Sequence, residues 1–145
     1  MGFHLRRIRG RWGHALLVSG AGPTGPALAL QTAASGARVP VVERRPPGPR
    51  PSRALIVHAR TLEVLRPLGV AEAIVDRGHV APSVRLHLGP RELPVRLGGL
   101  AGTAAYPFLV LVPQVASEAA LAEALAARGV AVERGRTHAG LVRGR

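Results

Sequence analysis

The stretch that decides the fold runs ALLVSGAGPTG over residues 15–25, with RVPVVE following at residues 38–43. Residues 15–19 form a short apolar run that stops at glycine, the pattern of a buried strand. Residues 23–35 read as a helix, with Leu28, Ala29 and Thr32 on one face and Gly36 as its stop. Residues 38–43 read as a second strand ending in an acid. Pro40 lies inside it, so that position must face away from a neighbour or sit at a bulge. Gly20, Gly22 and Gly25 fit the spacing GxGxxG. Gly20 permits a tight turn, Gly22 leaves room for a phosphate to approach, and Gly25 lets the helix lie close to the strand. The helix N-terminus then offers free N–H groups and the positive end of its dipole. Glu43, at the end of the second strand, is placed to accept hydrogen bonds from ribose hydroxyls. The order strand, glycine turn, helix, strand, acid therefore predicts a dinucleotide site. A P-loop is excluded, because it needs a Lys after the last glycine; position 26 is Pro and the chain has no Lys. The acid favours a free ribose 2′-hydroxyl over a 2′-phosphate. NADP is disfavoured at this site, and NAD and FAD both remain open at this point.

Further along, residues 44–52 (RRPPGPRPS) read as a loop. Residues 58–68 predict a helix that Pro67 kinks or ends, and residues 70–77 a second short helix. Residues 84–88 and 92–97 alternate around Gly89-Pro90 and predict a β-hairpin. Residues 98–105 are a loop, residues 107–112 (PFLVLV) a buried strand, and residues 116–128 a helix with Ser117 as N-cap and Gly129 beyond its end. Residues 130–133 form a last strand, and residues 137–142 could begin another. Arg60 and Glu63 predict a surface ion pair of small worth.

Length and composition set the remaining bounds. The chain of 145 residues suits one domain, and a 47% hydrophobic content with only 3% aromatics points to a Val, Leu and Ala core of the kind a parallel α/β sheet uses. The net charge is +12, and all 20 basic residues are Arg. Such a balance raises nucleic acid as a partner. The arginines are spread along the chain and few aromatics could stack bases, so no specific nucleic-acid binding is expected. Absence of Cys excludes disulfides and thiolate metal sites. The six His (His4, His14, His58, His79, His87 and His138) never fall at metal-ligand spacing, so no metal is expected. Residues 1–13 read as a basic, disordered leader. Residues 15–30 are uncharged, as in a signal peptide, but Gly20, Gly22, Pro23, Gly25 and Pro26 interrupt the run. It is also too short to span a bilayer. The expectation is a cytoplasmic protein that meets no membrane.

Four segments carry a resemblance: residues 17–25 (LVSGAGPTG), 41–44 (VVER), 52–65 (SRALIVHARTLEVL) and 107–114 (PFLVLVPQ). Together they resemble the N-terminal region of the class A flavoprotein aromatic hydroxylases, relatives of para-hydroxybenzoate hydroxylase. The first two are shared by many flavoproteins; the third and fourth are more specific. The resemblance covers residues 15–142. It implies an α/β, Rossmann-like FAD/NAD(P)-binding fold with a parallel sheet, flanking helices and a small β-hairpin insertion, incomplete relative to the family. The division it implies is a leader at 1–13 and the N-terminal part of an FAD-binding domain at 14–145.

The resemblance also implies FAD as cofactor, NAD(P)H as its reductant, and transfer of one oxygen atom from O2 to an aromatic or polyketide-like ring. Beside Gly20, Gly22, Gly25 and Glu43 it implies four cofactor contacts. Thr24 lies in the phosphate loop. Arg44 faces the adenosine end. Arg53 reaches across the loop, and Gln114 bonds near the ribityl diphosphate. Arg53 can also be read as a solvated loop charge, and Gln114 as a helix cap. No catalytic acid or base is assigned, since the cofactor carries the chemistry. The chain ends at Arg145 without the family's later DG segment and GD motif, and Pro26 stands where the family usually has Leu. The expectation is a fragment with weak or no FAD affinity and no hydroxylase activity alone. Two other classes stay open: an NAD-linked oxidoreductase fragment, and a non-enzymatic basic protein that keeps a relic fold.

Overall fold

In the computed structural model, described over residues 16–46, 48 and 56–137, the first strand β1 (Val18–Ser19) pairs in parallel with β2 (Val41–Glu43). The leader, Arg53, and residues 138–142 of the last possible strand lie outside the described residues. Val18 donates to the carbonyl of Pro40 at 3.0 Å, and Gly20 to that of Val42 at 2.8 Å. Pro40 thus takes part only as an acceptor just before the strand begins, which resolves its missing N–H. A third parallel strand, β8 (Val132–Arg134), lies on the far side of β2, giving the order β1-β2-β8. Val18 and Val41 face the core, while Ser19 on the opposite face is exposed.

Helix α1 (Thr24–Ala34) connects β1 to β2. It buries Pro26, Ala29 and Leu30 against the sheet, whereas Leu28 is exposed. The face expected from Leu28, Ala29 and Thr32 is therefore corrected. The glycine turn sets the roll of the helix, and the Thr32 hydroxyl is spent on the Leu28 carbonyl at 2.8 Å. The helix also starts one residue later than a Gly22 cap would give. Pro23 is the N-cap, and the first intrahelical bond runs from Ala27 to the Pro23 carbonyl at 3.2 Å. Pro26 is then the third helical residue, where an N–H has no intrahelical partner, so the proline removes no bond.

The middle of the chain forms α2 (Ala59–Leu65), a 3-10 turn over Arg66–Leu68 that holds Pro67, and α3 (Ala71–Asp76). The strand expected at residues 107–112 is found as β7 (Leu109–Leu111). It pairs antiparallel with two strands that the sequence does not announce, β3 (Ile56–Val57) and β4 (His79–Ala81). Gly78 makes this sheet possible: a Cβ there would meet Val110 Cγ1 and the Leu111 carbonyl oxygen. The expected hairpin is present as β5 (Ser83–Leu88) and β6 (Arg91–Arg96). Tyr106 closes the segment before β7, its hydroxyl donating to Glu72 Oε1 at 2.9 Å. Glu63 Oε1 accepts the Ala105 amide at 3.1 Å.

Helix α4 (Gln114–Ala127) packs on α1 and α3. Its N-cap is Pro113, not Ser117. The Pro113 carbonyl accepts from Ala116 and Ser117, so the helix is already under way when the chain reaches Ser117, which is buried. Gly129 follows the end with φ +71°, as a left-handed helix stop requires. The core is continuous from Val18, Ala29, Leu30 and Val41 through Leu62, Ile74 and Val110 to Leu121 and Leu125.

Candidate dinucleotide site

Two of the three glycines take the structural tasks that the spacing predicts. Gly20 turns with φ +110°, a conformation that L side chains avoid. A Cβ on Gly25 would fall on the Gly20 carbonyl oxygen and press on Val18 Cγ1, so the close approach of α1 to β1 needs a glycine there. Beside Gly22 there is open space: no atom comes within 4 Å of the position its Cβ would take. That space belongs to a groove of about 400 Å³ along β1 and the start of α1. Glycines at the turn and at the crossing, with room beside the middle one, are what an approaching diphosphate needs.

The loop donors can be counted by name. The Gly20 N–H is held by Val42, and Pro23 and Pro26 carry none. The N–H of Ala21 is held by Glu43 Oε2 at 2.9 Å. Among the described residues the N–H groups of Gly22, Thr24 and Gly25 make no hydrogen bond, and they lie at the positive end of α1.

Glu43 sits at the end of β2 and is only 4% exposed. Its Oε1 accepts the Arg45 amide at 2.9 Å and Arg45 Nε at 3.3 Å. The Arg45 amide, then the Ala21 amide and the Arg45 guanidinium, hold its pKa down from the ordinary 4.5 to about 2, against the opposing effect of burial. The group is a carboxylate at any physiological pH. Each carboxylate oxygen can accept about two hydrogen bonds, so Oε2 keeps capacity for one further donor. The arginine beside the acid is Arg45. Arg44 is exposed, and among the described residues it makes no ion pair.

A second hollow, of about 450 Å³, opens between α1, α2, β3 and the start of α4. Its walls are apolar (Ala27, Ile56, Val64, Leu121), with Thr24, Arg60, Thr61, Gln114 and Ser117 as polar groups. Pro23 and Thr24 line both hollows, so Thr24 and Gln114, 90 positions apart in sequence, belong to one continuous surface. Gln114 Nε2 donates to Glu118 Oε1 at 2.8 Å, one turn on in α4. Thr61 and Ser117 line this hollow; Thr61 falls within the family-like segment 52–65, where nothing singles it out, and no sequence motif marks Ser117. Arg60 also lines it, besides forming the expected pair with Glu63 at 3.3 Å. Among the described residues, no three His, Cys, Asp or Glu gather to hold a metal. No described helix is long and apolar enough to cross a membrane.

A family model described as the FAD binding domain matches residues 14–144. The chain belongs to the FAD binding domain family. Within this family it is similar to the 6-methylpretetramide 4-monooxygenase of Streptomyces rimosus, 40% identical over 125 residues, which are 85% of this chain and 22% of that protein. It is 36% identical over 127 residues to the rifampicin monooxygenase of Streptomyces venezuelae, covering 87% of this chain and 26% of the relative. Among solved structures, the anhydrotetracycline hydroxylase of Streptomyces rimosus superposes with a TM-score of 0.70 at 32% identity, over 82% of this chain and 24% of that one. The p-nitrophenol 4-monooxygenase of Pseudomonas putida has a TM-score of 0.75 at 23% identity, over 84% of this chain and 32% of that one, and speaks for the fold alone. The FAD binding domain chain thus spans about a quarter of the length of its curated relatives. The Rossmann-like α/β fold and the resemblance to aromatic hydroxylases both hold.

Proposed function

We propose that this chain binds the ADP half of FAD and forms the front part of a flavin-dependent monooxygenase acting on aromatic or polyketide-like rings with NAD(P)H and O2. The observation that carries the reading is the open space beside Gly22, flanked by a turn at Gly20 and a helix crossing at Gly25, with the Glu43 carboxylate at the end of β2. The relatives whose names include tetracycline, rifampicin and pretetramide oxygenation support the substrate class.

FAD, when bound, supplies electron transfer and oxygen activation. The chain supplies binding. The amides of Gly22, Thr24 and Gly25, with the Thr24 hydroxyl, hold the diphosphate at the α1 N-terminus. Glu43 Oε2 accepts one ribose hydroxyl, and Arg45 keeps the carboxylate ionised and aimed. Arg44 lies at the adenosine end as an exposed cation, and Arg53 is assigned a reach toward the cofactor from the preceding loop. Gln114 stands on the path from the phosphate loop into the apolar hollow, where it can donate to a ribityl or phosphate oxygen. We place the protein in the cytoplasm, where reduced nicotinamide is available.

Titration of the purified protein with FAD, followed by flavin fluorescence and calorimetry, tests this. The reading expects binding that ADP competes away and that NAD does not match. Preference for NAD would move the chain to another class of oxidoreductase. No binding of any adenine dinucleotide, even when the rest of a relative is supplied, would refute it.

A further inference from the structure

Three strands end side by side in the parallel sheet. In the order β1-β2-β8, β1 leads into the phosphate loop, β2 ends at Glu43 and β8 ends at Arg134. Glu43 and Arg134 are register partners on parallel strands, two residues beyond the partners Val41 and Val132. Both valines pack into the core, so the period of two puts the acid and the arginine on that same face. Backbone bonds fix the arrangement just past the strands. The Arg136 amide donates to the Glu43 carbonyl at 3.0 Å, and the Gly135 amide to that of Arg45 at 3.3 Å.

The cations gathered here differ in how they are engaged. Arg45 pairs with Glu43 at 3.3 Å, and Arg136 with Glu133 at 3.7 Å. Arg44 is exposed. Arg134 is half-buried, makes no ion pair among the described residues, and is not among the groups that hold the Glu43 pKa down. Tyr106 and Phe108 pack on each other in the segment that leads into β7, in the other sheet, with ring centres 5.9 Å apart. Among the described residues, this end of the parallel sheet offers a flat ligand group arginine rather than Tyr or Phe.

We infer that Arg134 recognises the base of the bound nucleotide, its guanidinium plane lying against the purine ring of the adenosine. This rests on the cofactor reading above. A ligand whose diphosphate meets the loop after β1, and whose ribose meets Glu43, carries its base one strand further on, at the end of β8. The order of groups along the ligand then follows the order of the strands. A guanidinium is planar and weakly hydrated, so it stacks on a base where an ammonium offers only a point charge.

The test separates the base from the rest of the nucleotide. Isotope-labelled chain is titrated with AMP and with ribose 5-phosphate, which lacks the base. Amide shifts are followed at Gly22 and Thr24 in the phosphate loop and at Arg134 and Gly135. The expected result is AMP bound about tenfold tighter, the scale of one stacked base. Arg134→Ala should bring AMP down to the affinity of ribose 5-phosphate, while the latter and the circular dichroism stay as they were. Arg134→Lys should recover only part of the difference. Arg91→Ala, which removes one charge from the hairpin, should leave AMP binding unchanged. A parent that binds both ligands equally overturns the inference and leaves the dinucleotide reading standing. Full recovery by lysine, or an equal loss in Arg91→Ala, does the same. If FAD, ADP and AMP all leave the Gly22 and Thr24 amides unmoved, the cofactor reading falls and the inference with it.

Discussion

Glu43 Oε2 accepts the Ala21 amide at 2.9 Å, across 22 positions of sequence. The acid expected to hold a ribose therefore also ties the phosphate loop to the end of β2 before any ligand arrives. Loss of the carboxylate removes both effects. We predict that Glu43→Ala weakens FAD binding by about 1–3 kcal/mol, the scale for hydrogen bonds to a charged acceptor. Calorimetric titration of mutant and parent with FAD checks this, and equal affinities would remove Glu43 from the site.

The same carboxylate makes stability depend on acid. Its pKa in the folded chain is about 2 against an ordinary 4.5. A lowered folded-state pKa adds stability that is fully present above about pH 4.5 and is lost as pH falls towards 2. Allowing for solvent screening near the mouth of the site, the contribution is about 1–2 kcal/mol. Denaturant melts between pH 6 and pH 2.5 should show the parent losing more stability than Glu43→Gln. Parallel curves would mean that the ionised form has no native advantage.

Gly22 and Gly25 should respond differently. Gly22→Val places its side chain in open space, so the fold survives while the diphosphate is shut out. Gly25→Ala drives a methyl group into the Gly20 carbonyl oxygen, so stability itself falls by about 1–3 kcal/mol. Thermal melts with FAD titrations separate the two. Tight flavin binding by a folded Gly22→Val protein would dismiss the assignment of the groove.

Gly78 carries no cofactor role, yet its substitution should be costly. A Cβ there meets Val110 and Leu111 of β7. We predict that Gly78→Ala lowers stability by about 1–3 kcal/mol, since the obstruction includes backbone. Urea midpoints measure it, and an unchanged midpoint would show that β7 can shift away.

Pro26→Leu carries a sign that turns on where α1 starts. From a Gly22 cap, leucine is expected to restore a lost hydrogen bond and stabilise the helix by about 1 kcal/mol. In the structure Pro26 is the third helical residue, loses no bond, and is fully buried. The larger leucine side chain must enter a filled space, so the melting temperature should drop, by the equivalent of about 1 kcal/mol. A rise would mean that α1 begins earlier than it does here.

The sequence by itself determined the first βαβ unit, with the turn at Gly20 and the close helix crossing at Gly25. Those properties are local: a turn with positive φ, a close crossing and an acid at a strand end are written in a few consecutive residues. The hairpin around Gly89-Pro90 and the helix stop at Gly129 are legible for the same reason. Tertiary structure alone decided the rest. β3 and β4 are two and three residues long, too short for any periodicity, and exist because β7 lies between them. The buried side of α1 keeps Ala29 but takes Pro26 and Leu30 in place of Leu28, because the roll of the helix follows from its crossing over β1 at Gly25, which the residues of the helix do not reveal. Arg45 rather than Arg44 meets Glu43 because the backbone bends directly after β2, and adjacent arginines look alike in a sequence. That Thr24 and Gln114 share one surface follows only from packing α4 on α1, a contact between residues 90 positions apart that no local pattern encodes.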